Sequence, residues 1–321
     1  MINRRQFAIG AASLGLGTAL ASRFALAKPS QPSTGVAFDM PEGACDCHVH
    51  IHGPRAAYPM YEKRSYTPEE ATPSELEAMM KALGLGRVVI VTPSVYGANN
   101  ASTMFGMMHF GPAARGVAVI DAETTQRELK EMAAMGIRGV RLNLSVGGVN
   151  DPDRAKRMID TALEQISNLD WHLQLNTKPE MIEALHDFLG SLPKMIVFDH
   201  YGGAQPDGKS EPAGFGSMVD LVASGKAYAK ISIKGGHRDD LSVFDPLADK
   251  LIAANSDRIL WGSNWPHPNA KPPAGGTAMD LTPLFAVDDG RVINQLGVWA
   301  ENPAMRQKIL VDNPARLYGF A

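Results

Sequence analysis

The chain has 321 residues, 45% of them hydrophobic, and its 31 Lys+Arg against 34 Asp+Glu give a formal net charge of −3 at pH 7. This much apolar material builds a large core and excludes a disordered protein, and the length suits one barrel-sized domain. With no basic stripe and no block of like charge, nucleic acid and membrane surfaces are not the expected partners, which leaves a small molecule.

The first residues, Asn3-Arg4-Arg5-Gln6-Phe7, precede an Ala/Gly/Leu stretch from Ala8 to Leu20 and then Ala25-Leu26-Ala27. A charged region, an apolar region and an Ala-x-Ala site in that order make a secretory leader, and the paired arginines resemble the twin-arginine signal that exports folded proteins. The apolar run is short for a membrane span and is interrupted by Gly10, Gly15 and Gly17. The expectation is a leader over residues 1–27, the twin-arginine export machinery as a partner, a periplasmic mature protein and no stable membrane association after cleavage. A Pro/Ser/Gly-rich linker over 28–43 then leads into a single domain over 44–321.

Cys45 and Cys47 are the only cysteines. On an extended strand an i, i+2 pair has its Cα atoms ~6.5–7 Å apart, at the limit for a disulfide, so both are expected to be free and buried. From there short apolar runs alternate with helical patterns. The runs are Ala44 to Ile51, Arg87 to Thr92, Gly116 to Ile120, Ile137 to Leu144, Trp171 to Asn176, Met195 to His200, Tyr228 to Ile233 and Arg258 to Trp261. Such runs suit strands covered on both faces. After Thr72, Pro73 and Glu75 supply a helix start with a capping box, and Gly84 supplies its stop. Ala155, Met158, Ile159, Ala162, Leu163 and Ile166 trace one face of another helix. A further helix is expected from Leu241 to Ile252 with Ser242 as its cap. Eight strand–helix alternations without a Gly-rich phosphate loop after the first strand predict an α/β fold closed as a (β/α)₈ TIM barrel. Its catalytic groups belong where each run turns polar.

The first strand ends Asp46-Cys47-His48-Val49-His50-Ile51-His52, and strict alternation puts Asp46, His48, His50 and His52 on one face and Cys45, Cys47, Val49 and Ile51 on the other. The sixth ends Phe198-Asp199-His200 and the eighth Trp261-Gly262-Ser263-Asn264-Trp265-Pro266-His267. Together with Gly139-Val140-Arg141 and the closing Asn313-Pro314-Ala315-Arg316-Leu317-Tyr318, these ends resemble the amidohydrolase superfamily, in the branch of 2-pyrone-4,6-dicarboxylate lactonase and galactarolactone isomerase. The resemblance covers nearly the whole mature chain. It implies an amidohydrolase-type barrel acting on the ring ester of a small carboxylated lactone.

In the superfamily's metal enzymes the resemblance implies histidines on strands one, five and six, a carboxylated Lys on strand four and an Asp on strand eight. Here strand four offers Arg141 and Asn143, strand five Gln174 and Asn176, and strand eight Asn264. Arg cannot ligate and a neutral amide is a poor substitute for a carboxylate. No cofactor is expected, and the alternative is a divalent ion such as Zn²⁺ held by His48, His50 and His200. Without metal, these three histidines are expected to polarise the substrate carbonyl as donors, at least one of them protonated. The candidate catalytic set is His48, His50, His200 and Asn264. Tyr66, Ser94, Arg141, Asn143, Asn176, Lys230, His237, Arg238 and His267 are candidate substrate-binding groups.

Asn264 stands where the lactonase carries its general base, and an amide takes up no proton near neutral pH. Hydrolysis then needs another base, with His237, His267, Asp199 and Asp46 as candidates. Asn at this place also matches the isomerase, whose nucleophile is a substrate hydroxyl. Gly147 and Gly203 replace arginines that the lactonase uses for a second carboxylate, and Lys230, Lys234 and Arg238 are candidates to restore the charge. A lactone isomerase is therefore the first alternative, and a non-catalytic periplasmic barrel that binds an acid is the second.

Overall fold

Each apolar run forms a parallel strand: β1 Cys45–Val49, β2 Arg87–Val91, β3 Ala114–Ala118, β4 Ile137–Asn143, β5 His172–Asn176, β6 Ile196–Phe198, β7 Ala227–Ile231 and β8 Ile259–Trp261. In this computed structural model, which describes residues 29–206, 210–235 and 240–321, they pair in chain order as one eight-stranded sheet. The expected leader over 1–27 and the candidates His237 and Arg238 lie outside the described residues.

The segment after β8 closes the sheet onto β1. Asn264 N donates to the His48 carbonyl at 2.9 Å, and His50 N donates to the Trp265 carbonyl at 2.8 Å. Ser263 N adds a bond to Asp46 Oδ1 at 3.0 Å. Gly262 permits this approach, since a Cβ there would lie 2.6 Å from His48 Cβ and 2.9 Å from its backbone nitrogen. The result is the expected (β/α)₈ barrel.

The helices follow their start signals where those are local. Pro73–Leu83 begins with the Thr72/Glu75 capping box and ends on Gly84 in the left-handed region. Pro152–Gln165 buries Ala155, Ile159, Ala162 and Leu163, as its period requires. The expected helix from Leu241 is corrected to Asp245–Asn255. Asp240 accepts from Ser242 N at 2.9 Å and from its hydroxyl at 2.6 Å, so 242–244 winds as a 3₁₀ turn ahead of the helix. The sequence gives no warning of a two-stranded parallel sheet, Thr67–Pro68 with Leu281–Thr282, that ties the loop after β1 to the loop after β8.

Two apolar layers follow from strand alternation. Val49, Ile51, Val88 and Ile90 pack outward with Leu76 and Met79, while Cys45, Cys47, Val89, Val91, Val117, Val197 and Leu260 fill the interior with Tyr228. Tyr318 and Phe320 seal the floor, where Arg115 Nε donates to the Tyr318 carbonyl at 3.1 Å. The cysteines are free, as expected, with their sulfurs 3.8 Å apart.

The strict alternation expected on β1 does not hold. Its register on β2 shifts between Asp46 and Val49, and such an irregularity re-aims side chains. Cys45 and Cys47 therefore face the interior below, Asp46 turns to the seam, and His48 and His50 still enter the mouth.

Candidate active site

The imidazoles expected to converge do so. The rings of His48 and His200 lie 4.4 Å apart between centroids, and those of His48 and His50 lie 5.0 Å apart. All three are buried at the C-terminal end of the barrel. His50 Nδ1 lies 2.7 Å from the Val91 carbonyl, and His200 Nδ1 lies 3.3 Å from the Ser232 carbonyl and 3.2 Å from its hydroxyl. His200 follows β6 with a φ of 50°, a left-handed turn that swings its ring over the cup.

Burial depresses the basicity of these rings, opposed at His48 and His200 by the Asp199 carboxylate and assisted by neighbouring cations. His48 and His50 are held well below the ordinary histidine value and His200 is lowered to about 3. This desolvation favours the neutral rings and works against the expected protonation of one of them. Positive charge comes instead from Arg141 and Lys230, which alternation along β4 and β7 turns into the barrel.

Asp199, at the end of β6, joins these groups. Its Oδ2 accepts from Arg141 Nε at 2.9 Å, while Oδ1 lies 3.1 Å from His48 Nδ1 and 3.4 Å from Lys230 Nζ. Burial by itself would raise the carboxyl's pKa, but His48, Lys230 and Arg141 outweigh it and hold the group well below the usual range. Lys230, fully buried, also donates to Gln174 Oε1 at 2.8 Å and lies 3.2 Å from His48 Nδ1. Burial lowers its pKa while Asp199 opposes the change. Two cations against one carboxylate leave the cup positive. Asp199 was foreseen only as a possible base, although it stands beside His200 in the strand-end run; Gln174 and Ser232 had no role in the sequence reading, because each lies far in sequence from the histidines and carries no local motif.

The other candidates divide. Tyr66 is buried beside the Ser94 side chain and within the field of Arg141, which places those three together. Asn143 and Asn176 are neighbours at the ends of β4 and β5, and each has a buried side-chain oxygen without a partner. His48 Nε2 and Gln174 Nε2 are also buried and unpartnered. Unsatisfied polar atoms converging in one cup mark a place for a polar ligand. Asn264 is buried with a φ of 68°, a conformation Asn tolerates better than most residues. His267 Nε2 is tied to Asp289 Oδ1 at 2.9 Å, which commits that nitrogen to the wall. His52 Nδ1 lies 3.1 Å from the Glu69 carbonyl, pinning the loop after β1.

His48, Asp199 and His200 offer ligand atoms within 4.8 Å of one another, a set that differs from the expected one by Asp199 in place of His50. His50 is drawn away because its Nδ1 is bound to Val91. The donor set does not fit a divalent ion. Arg141 and Lys230 already ion-pair with Asp199, one at each oxygen, and a buried ammonium 3.2 Å from a ligand nitrogen repels a metal at that place.

At the C-terminal ends of β5 to β8 the loops form a cleft of about 1030 Å³, lined in part by Lys178, Gln205, Lys234, Lys271 and Phe285. The histidines do not line it. Lys234, within the fields of Arg141 and Asp199, links the cleft to the cup.

A sequence profile of the family described as Amidohydrolase matches residues 45–320. A 4-sulfomuconolactone hydrolase from Rhizobium radiobacter is 32% identical over 302 residues, 91% of this chain and 95% of that protein. A 2-pyrone-4,6-dicarboxylate hydrolase from Comamonas testosteroni is 30% identical over 312 residues, 91% of this chain and 94% of that one. Among solved structures, a putative 2-pyrone-4,6-dicarboxylic acid hydrolase from Pseudomonas putida superposes with a TM-score of 0.71 at 27% identity, covering 88% of this chain and 99% of that one.

Proposed function

The chain belongs to the amidohydrolase family, and we propose that it opens the ring ester of a small lactone bearing an acid group, by hydrolysis without metal. The observation that carries this reading is the charge of the buried cup, where Arg141 and Lys230 face the single carboxylate of Asp199. A closed site with excess positive charge favours an anionic substrate, and it favours still more the oxyanion that forms when the ester carbonyl is attacked. Arg141, held through Nε by Asp199, suits the substrate's acid group, with Tyr66 and Ser94 beside it.

Hydrolysis needs a base for the attacking water. Asn264 has no such group, and Asp199 is held ionised by its cationic neighbours and is correspondingly weak. Asp46, raised by burial to about 7, is turned to the seam, where its Oδ1 accepts from the backbone N–H groups of His48 and Ser263. His267 is bound to Asp289. Among the described residues that leaves His50 and His200, rings whose Nδ1 atoms are engaged and whose Nε2 atoms carry lone pairs. Burial keeps their basicity weak, and a substrate carboxylate in the cup raises it, because nearby negative charge favours the imidazolium.

Turnover of 2-pyrone-4,6-dicarboxylate, 4-sulfomuconolactone and aldarolactones in ¹⁸O-labelled water tests the proposal. One label in the ring-opened acid is the expected product. A rearranged, unlabelled lactone would establish instead the isomerase reading, which Asn264 favours. Tight binding without turnover would support the acid-binding barrel. We also propose that the leader over 1–27 exports the protein to the periplasm. Periplasmic protein whose N-terminal sequence begins at Lys28 is the expected result, and full-length protein confined to the cytosol would overturn it.

A further inference from the structure

The three clustered imidazoles are held by partners of different kinds. His50 Nδ1 faces the Val91 carbonyl at 2.7 Å, and His200 Nδ1 faces the Ser232 carbonyl at 3.3 Å. A carbonyl oxygen only accepts, and the Ser232 hydroxyl 3.2 Å from His200 Nδ1 can accept beside it, so in this arrangement each ring carries its proton on Nδ1 and turns a lone pair outward on Nε2. His48 differs. Its Nδ1 has a donor, Lys230 Nζ, at 3.2 Å, and the lysine is fixed by Gln174 Oε1 at 2.8 Å and Asp199 Oδ1 at 3.4 Å. Asp199 Oδ1 also lies 3.1 Å from His48 Nδ1, but the ring's N–H direction makes no hydrogen bond to it, and that oxygen has no hydrogen-bond partner. His48 Nε2 is buried and without a partner.

We infer that Lys230 is a positioning residue, which donates to His48 Nδ1 and so fixes His48 as the Nε2–H tautomer, the one imidazole of the three that presents a hydrogen-bond donor to the cup. The inference deepens the lactone reading and rests on it for the meaning of the donor. His48 then supplies the N–H that meets the developing oxyanion, while His50 and His200 supply the lone pairs that accept a proton from the nucleophile. Three neutral rings thereby divide into one donor and two acceptors, and no imidazolium is needed before attack. Without Lys230 no donor faces His48 Nδ1, and the Asp199 carboxylate 3.1 Å away favours the proton there, so nothing separates the three rings.

Long-range ¹⁵N–¹H spectra of ¹⁵N-histidine-labelled wild-type protein, with His48 assigned by a His48→Gln variant, read the tautomer without reference to activity. The expected pattern is Nε2–H for His48 and Nδ1–H for His50 and His200. A His48 signal with the proton on Nδ1 overturns the inference in the wild type, whether or not any variant folds. In Lys230→Met the His48 pattern is expected to invert. With a lactone that the wild type opens, kcat is expected to fall ~100-fold, as for loss of one oxyanion donor, with KM changed only a few-fold. A Lys230→Met protein that keeps the wild-type tautomer overturns the inference even if it is inactive. A wild type with the expected tautomers that opens no lactone leaves the Lys230 assignment supported and removes the lactonase reading alone.

Discussion

Asp199 receives Arg141 Nε at 2.9 Å and lies 3.4 Å from Lys230 Nζ, with all three side chains buried. Removing one member of such a set leaves the others as uncompensated buried charge, which destabilises by about 3–5 kcal/mol. Asp199→Asn is therefore expected to lower the urea midpoint sharply and to reduce kcat/KM by at least ~100-fold through the lost orientation of Arg141. Chemical denaturation and lactone kinetics on the same preparation check both, and a variant of wild-type stability would refute the charge assignment. The pH dependence has a definite sign. A carboxyl whose folded pKa lies below its unfolded value of about 3.9 stabilises the fold above that value, and the contribution disappears as pH falls through the folded pKa. At this scale the sequence was partly legible: His48, His50, His200 and Arg141 stand where apolar runs end. The contact of Lys230 with His48 was not legible, because it spans the barrel between residues 182 apart in the chain.

Elements form from local signals, and their relative placement depends on close approach. The Thr72 capping box is complete within four residues and was read directly. Thr72→Ala is expected to cost about 1 kcal/mol, seen as a lower Tm, with kcat/KM unchanged. Gly262 acts differently, since a Cβ there meets the β1 backbone at His48 N, 2.9 Å away. Gly262→Ala must push β8 from β1 and strain the bonds from Asn264 to His48 and from His50 to Trp265. The expected outcome is a kcat/KM reduced by at least ~10-fold, because small misplacement of reacting groups is expensive, together with a lower Tm. Wild-type kinetics in this variant would show that the seam does not position the site. The shift of register within β1 was likewise invisible in the sequence, because its cause lies in pairing with β2 rather than in β1 itself.

Burial of histidines shapes the response of the whole molecule to acid. Burial lowers His52 to about 4, and His172 and His200 to about 3, and it holds His48 and His50 well below their ordinary value. Unfolded histidines titrate near ~6.5, so below that pH the unfolded chain binds protons that the folded chain refuses, and stability falls as pH drops toward 4. Asp46 opposes this, because burial raises it to about 7 and its contribution is lost as pH rises toward that value. Each histidine contributes up to ~1.4 kcal/mol per pH unit, so five outweigh one carboxyl. Urea midpoints measured from pH 7 to pH 4.5 are expected to fall steeply below 6.5. A flat profile would mean that the rings are hydrated and protonated in the folded state. The sequence alone determined the eight strands, the barrel, the helix caps and the histidines at the strand ends, because apolar periodicity and capping act over a few residues. Only the tertiary structure decided that burial works against protonation of those histidines, that Asp199 lies between two cations, and that Lys230 reaches His48. Desolvation and Coulomb interaction depend on distances across the barrel, which exist only once the sheet has closed.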